Sequence, residues 1–278
     1  RIECFNNSLD TLDFSNNTAL YSMKCYNNQL TYLNMKNGVT DQLTTFSATN
    51  NFLDCIEVNA EDVDYATENW TYANGNIDEG VGFSVVCAPE GYTYVPDNNF
   101  EQALVDLGYD SAVDDFVLTE NISGVDALDL NEREISDLTG IEAFTALTGL
   151  NCDSNQLTAL DISANTALDT LYCSSNQLTT LDVSANTTLK YLSCNSNQLT
   201  VLDVSANTAL EYLSVSDNEL TSLDVSANTA LTTLYCSVNQ LTYLNMSNGI
   251  TDALTTFDAT DNTLTCIEVN EEDVDYAT

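Results

Sequence analysis

Residues 171–192 read LYCSSNQLTTLDVSANTTLKYL, and the same slots return in the next 21-residue stretch: Leu171, Cys173, Asn176, Leu178, Leu181, Val183, Asn186 and Leu189 are matched by Leu192, Cys194, Asn197, Leu199, Leu202, Val204, Asn207 and Leu210. The period extends both ways, through Leu150, Leu171, Leu192, Leu213 and Leu234. Each unit is an apolar-x-apolar segment and an Asn-bearing polar turn, written twice. That pattern predicts two short parallel strands per 21-residue coil. Asn suits the turns because its side-chain amide can satisfy buried backbone groups and because it tolerates a left-handed backbone. No Gly occurs between Gly149 and Gly249, which assigns the corners to Asn. One coil cannot bury its apolar edge alone. Coils stacked about 4.8 Å apart pile like on like, so the expected fold class is a β-rich repeat solenoid.

Working outward, a further coil opens at Leu128 and Leu130, and a 23-residue step from Leu234 to Phe257 closes the array, with the insertion at 248–251. The same step runs from Met23 to Phe46, after a 21-residue step from Ile2 to Met23, so there are two arrays. Residues 33–67 align with 244–278 at a constant offset of 211, with 27 of 35 positions identical and Cys55 falling on Cys266. The expectation is a window from a longer chain of modules. Residues 1–88 read as the C-terminal part of one module with its closing cap, 89–122 as the helical N-terminal cap of the next, and 123–278 as a second array with a truncated closing cap. Asp97 and Asn98 before Phe100, Ala103, Leu104 and Leu107, followed by Gly108, spell an N-cap, an amphipathic helix and a C-cap glycine. This is the one short cap helix expected. The joint at 87–96, which carries Tyr92 and Tyr94, is too short for a flexible linker and predicts a fixed relation between modules.

Composition excludes several function classes. With 43 Asp and Glu against 5 Lys and Arg, the net charge is −38, so phosphate backbones and anionic membrane surfaces are repelled. There is no His, which removes the commonest general base and zinc ligand. No nucleophile with a recognisable base and no Gly-rich phosphate loop is present, so the chain is not read as an enzyme. A hydrophobic share of 44% supports a core, and no apolar run is long enough for a transmembrane segment.

The unit LxxLxCxxNQLTxLDVSxNTxL resembles the 21-residue class of bacterial leucine-rich repeats called IRREKO. VPDNNFEQALVDLGYD at 95–110 and CIEVNAEDVDYATENW at 55–70 look like the opening and closing caps of leucine-rich-repeat proteins of Bacteroidota. The resemblance covers nearly the whole chain. It implies a leucine-rich-repeat array, export by the type IX pathway, an extracellular or outer-surface location, and a scaffold for binding and adhesion. It also implies sugar on a short Asp-Ser/Thr-apolar motif, which places O-glycosylation candidates at Thr11, Ser111 and Thr170.

Several columns carry candidate chemistry. Cys4, Cys25, Cys152, Cys173, Cys194 and Cys236 share one inward slot, where Val215 and Met246 stand in two other coils, so they read as buried thiols. Cys55 and Cys87 bracket a cap and are the disulfide candidate for an oxidising compartment. Asp161, Asp182, Asp203 and Asp224 form an outward ladder. Either cations sit along it, or each carboxylate accepts hydrogen bonds from Ser163, Ser184, Ser205 and Ser226 or from backbone amides. With Asp110, Asp114 and Asp115 in the cap, these residues are the candidates for loosely bound calcium; no other cofactor is expected. Tyr172, Tyr191, Tyr212 and Tyr235 occupy outward slots among Ser and Thr, as a protein- or glycan-binding face would. The expected function is an extended adhesin, fibre or spacer at the cell surface, whose partners are proteins or glycans and further copies of its own module. The alternatives are a dedicated receptor module or the non-catalytic arm of a larger polysaccharide-acting protein.

Overall fold

A computed structural model describes residues 1–89, 91–249 and 253–274. The chain divides into two compact units, Arg1–Pro89 and Glu90–Thr278. In the second unit seven strands pair in parallel, in the order Ala127–Asp129, Gly149–Asn151, Thr170–Tyr172, Tyr191–Ser193, Tyr212–Ser214, Thr233–Tyr235 and Thr256–Asp258. The register stacks Leu128, Leu150, Leu171, Leu192, Leu213, Leu234 and Phe257 in one column. The first six of these are buried, whereas Phe257, at the end of the ladder, is 42% exposed. The first unit repeats the arrangement in miniature. Ile2–Glu3, Ser22–Lys24 and Thr45–Ser47 form one parallel sheet; Thr11–Asp13, Tyr32–Asn34, Cys55–Glu57 and Gly82–Ser84 form another.

The expectation of two strands in every coil holds only in part. On the second side of the larger array a ladder forms at Ser222–Asp224, Tyr243–Asn245 and Ile267–Glu268, but residues 160–162, 181–183 and 202–204 form no strand. Backbone pairing between those coils is reduced to contacts such as Gln177 N–H to Leu157 O and Gln198 N–H to Leu178 O, each 2.8 Å. Asn side chains do the remaining work. Asn186 Nδ2 donates to the carbonyls of Ile162 and Asn165 in the preceding coil, and Asn207 repeats this on Val183 and Asn186.

A second Asn column stitches the coils at the corner that follows the main sheet. Asn197 Nδ2 donates to Cys173 O in the coil before and to Cys194 O in its own coil, both at 3.1 Å, while its Oδ1 accepts the N–H of Leu178 at 3.0 Å. Asn155, Asn176, Asn218 and Asn239 make the same bonds. The left-handed backbone at this corner does not fall on these Asn, contrary to the reading of the sequence. It falls one residue earlier, on Ser154, Ser175, Ser196, Asp217, Val238 and Asp261. The roles separate because a side chain that must bond backbone groups on two coils has to point inward, which the preceding exposed corner residue does not. In the first unit that preceding residue is itself Asn, and Asn27 Nδ2 donates to Asn6 Oδ1, and Asn50 Nδ2 to Asn27 Oδ1, each at 2.7 Å.

The caps contain more helix than the single one read from the sequence. Helix α1, Val63–Asn69, sits in the closing cap of the first unit, where its buried Ala66 and the following Trp70 join the core and Trp70 stacks on Phe46 at 3.8 Å between centroids. The signal was Val63, Ala66 and Trp70, an apolar stripe too short to stand out from loop. Helix α2, Asn98–Asp106, begins as the N-cap pattern predicts: Asp97 Oδ1 accepts the N–H groups of Asn99 and Phe100, and Gly108 takes φ 81° beyond its end. A four-residue helix α3, Thr119–Ile122, follows the antiparallel pair Tyr92–Tyr94 and Phe116–Leu118. Gly140 is required here, because a Cβ would lie 2.8 Å from Tyr94 O at a backbone φ of 104°.

Cys25, Cys152, Cys173, Cys194 and Cys236 are buried free thiols, Cys4 is partly buried, and Val215 and Met246 complete the slot. Burial pushes the thiols of Cys25, Cys194 and Cys236 up to about 12, and those of Cys152 and Cys173 upward too. They therefore stay neutral and unreactive at ordinary pH. Cys55 and Cys87 are joined in a disulfide, with Cα atoms 5.7 Å apart, closing a 32-residue separation around the cap. Loop closure of that length contributes about 3 to 4 kcal/mol.

Two stability outcomes follow from the corners. Asn197→Ala should cost about 3 kcal/mol, because it orphans buried backbone groups at about 1 to 3 kcal/mol each. Gln198→Ala, on an exposed neighbour, should stay within about 0.5 kcal/mol; equal losses by denaturant unfolding would remove the Asn column from its role. Val238 holds φ 53° although it is β-branched and 48% exposed. Val238→Asn should therefore relieve about 1 kcal/mol of strain. A melting temperature that falls in that variant would contradict the assignment.

Candidate binding faces

The outward slots of the seven-stranded sheet form two columns. Thr170, Tyr191, Tyr212 and Thr233 stand in register along one; Tyr172, Ser193, Ser214 and Tyr235 along the other. Parallel pairing fixes these positions, since each column advances one strand per coil. Rings of Tyr191 and Tyr212 lie 6.4 Å apart and those of Tyr212 and Tyr235 6.1 Å apart, so three of the four candidate tyrosines form one continuous aromatic strip. Tyr172 is not in ring contact with it and stands beside Ser193 instead. Tyr172 and Tyr191 are the most open of the four, at 36% and 40% exposure. Next to the rings runs a hydroxyl network: Ser174 and Ser193 share a 2.9 Å hydrogen bond, Ser214 Oγ donates to Asn195 Oδ1 at 2.8 Å, and Ser216 and Ser237 share one of 3.0 Å. It holds the polar margin of the strip in place. Such a face offers flat rings with polar tips, held on a backbone ladder and flanked by donors and acceptors.

The Asp ladder is occupied by the chain's own amides. Asp161, Asp182, Asp203 and Asp224 each accept the N–H of the Ser two residues on, at 2.8 to 3.0 Å. These Ser side chains and amides hold all four carboxyls below the usual range. Because the folded-state value is the lower one, the turns stabilise the fold above the ordinary carboxylate range and lose that contribution as pH falls from there through the lowered folded-state value. Among the described residues these four do not converge as metal ligands; the one convergent acidic group is Glu101, Asp110 and Asp114. Asp115 is not part of it. Its φ of 71° makes it a corner, and its carbonyl accepts the N–H of Val95 at 2.9 Å. Reading the sequence missed Glu101, whose only signal was its position flanking the apolar side of α2, one helical turn after Asp97.

Of the glycosylation candidates, Thr11 and Ser111 are exposed, while Thr170 is half-buried and donates to Asp169 Oδ1 at 2.8 Å. Of the insertion at 248–251, Ile250 and Thr251 lie outside the described residues. No helix among the described residues is long and apolar enough to cross a membrane.

No known protein-family profile matches the chain. Internalin J of Listeria monocytogenes serotype 4b is 36% identical over 126 residues, which is 45% of this chain and 13% of internalin J. The solved functional domain of internalin J from Listeria monocytogenes, which includes a cysteine ladder, matches at 35% identity and a TM-score of 0.52, over 64% of this chain and 49% of that one. Internalin C2 of the same species matches at 20% identity and a TM-score of 0.48, over 66% of this chain and all of that one. The chain thus spans a small part of the curated relative and about half of the solved internalin J domain. Its own Cys152, Cys173 and Cys194 occupy successive coils in one buried slot, set by the same parallel register that aligns the leucines. The chain is a leucine-rich repeat protein related to the internalins of Listeria.

Proposed function

We propose that this chain is part of an extracellular, tandem-module adhesin that holds protein or glycan partners on the tyrosine strip of its larger array. The observation that carries the reading is the run of Tyr191, Tyr212 and Tyr235 in ring contact on consecutive strands. Three aromatic contacts on a hydrogen-bonded ladder lose little conformational entropy when a partner docks, which is what makes Tyr frequent among energetically dominant interface residues. The hydroxyls beside them suit either sugar hydroxyls or peptide groups. Binding, rather than catalysis, is what a surface with no His and with its carboxylates engaged by backbone amides can do. An oxidising location is supported by the Cys55–Cys87 bond, and the thiols of Cys25, Cys152, Cys173, Cys194 and Cys236 are protected from the same oxidants by burial. The long-range repeat that sets Cys55 on Cys266 favours several such units in series, which gives weak faces avidity.

The test is a screen of the labelled protein against a glycan array and an immobilised ectodomain library, repeated with Tyr191→Ser, Tyr212→Ser and Tyr235→Ser combined. Removing contacts of this class costs about 2 kcal/mol or more at a hot spot, so captured partners should weaken by about thirtyfold or more at unchanged melting temperature. Undiminished capture by the triple variant would remove the strip from binding.

A further inference from the structure

The loop between α2 and the strand Phe116–Leu118 gathers three carboxylates. Glu101, on α2, is fully buried, and its Oε1 accepts the N–H groups of Asp114 at 2.8 Å and Phe116 at 3.0 Å. Its Oε2 is buried without a hydrogen-bond partner. Asp110 Oδ1 accepts the N–H of Ser111 at 2.7 Å, while Asp110 Oδ2 is likewise buried without a partner. Asp114 is exposed, and its Oδ1 accepts the N–H of Phe116 at 3.3 Å. One carboxylate oxygen from each of the three lies within 4.8 Å of the other two. None of the three forms an ion pair with Lys or Arg among the described residues.

Two orphaned, buried carboxylate oxygens beside a third carboxylate are an expensive arrangement unless something positive lies between them. A Ca²⁺ ion takes oxygens at about 2.3 to 2.6 Å, so two oxygens on one ion stand no more than about 5 Å apart. The separations here fall within that limit. Glu101 is held in place by two backbone amides on Oε1, which fixes the carboxylate and leaves its second oxygen buried and unpartnered. The exposed side at Asp114 leaves room for water to complete the roughly 6 to 8 oxygens that Ca²⁺ takes. We propose that Glu101, Asp110 and Asp114 form a calcium site that fastens the loop after α2 to the helix and so locks the opening cap of the second unit. The amides on Glu101 Oε1 already tie both ends of this arrangement together, so an ion on its other oxygen stiffens a connection the fold has made.

The inference is independent of the tyrosine strip and is tested on the whole chain. Melting temperature is measured with CaCl₂ at millimolar concentration, with MgCl₂, and with chelator, at matched ionic strength; calorimetric titration with CaCl₂ gives the affinity. In chelator Asp110→Asn should melt at or above the unsubstituted protein, because it relieves repulsion and keeps the oxygen that accepts Ser111 N–H. In calcium the order should reverse. One site is expected, with a Kd of about 10⁻⁴ to 10⁻³ M as in extracellular modules, weakened by about tenfold or more in Asp110→Asn and in Asp114→Asn, which alters only an exposed side chain. Asp182→Asn, on the outward ladder, should respond as the unsubstituted protein does. No calcium-dependent shift in the unsubstituted protein, the same shift in Asp110→Asn and Asp114→Asn, or an equal loss in Asp182→Asn would each overturn the site. A magnesium shift as large as that of calcium would overturn its assignment to calcium.

Discussion

The fold rests on one hydrogen-bonding constraint: at every coil a side-chain amide must replace the backbone partners that a turning chain cannot supply. Strands of three residues leave most of each 21-residue coil outside any ladder, and buried peptide groups in those corners would otherwise be orphaned. Asn155, Asn176, Asn197, Asn218 and Asn239 close that gap identically, each bonding carbonyls in two successive coils and accepting an amide from the coil before. Asp is nearly isosteric but lacks the two N–H donors, and Gln would overshoot by a methylene. Geometry therefore leaves little freedom in this column, while the neighbouring slot tolerates Cys, Val and Met because it asks only for a modest hydrophobe.

Once the coils are fixed in this register, charge is relegated to the outside. With a net charge of −38, the chain has far too few cations to pair its carboxylates, and only four ion pairs are present among the described residues. The outward Asp ladder avoids the penalty by binding each carboxylate to the amide two residues on, a local arrangement that each coil supplies for itself. The same solution cannot serve Glu101. Its side chain is enclosed, and the amides of Asp114 and Phe116 reach only one of its two oxygens.

How much of this was legible depends on whether a feature recurs. Leu171, Asn176 and Asn186 could be read because the period tests each slot in several coils. The left-handed corner could not, since Ser175, Asp217 and Val238 share no chemistry, and a backbone angle imposes weak selection on a side chain that points to solvent. The missing second strand at 180–182 was hidden for a related reason: Thr180, Leu181 and Asp182 repeat the pattern of Ser222, Leu223 and Asp224, which do form one. What differs there is the pairing across coils, a non-local property that side-chain alternation does not encode.

Features that occur once are the hardest to read, and both candidate sites show why. The tyrosine strip was visible as four outward residues, yet only the structure shows that Tyr191 and Tyr212 share a column, that Tyr235 reaches the ring of Tyr212 from the column beside it, and that Tyr172, in the same column as Tyr235, stands next to Ser193 instead. Glu101 was invisible for the opposite reason. In sequence it is an ordinary helix residue flanking an apolar stripe, and its role arises from the loop that returns fifteen residues later to place the N–H of Phe116 on its carboxylate. Periodicity reports what each coil does for its neighbours. Glu101 sits where the period breaks, in the cap, so no neighbouring coil repeats its surroundings and no column could announce them.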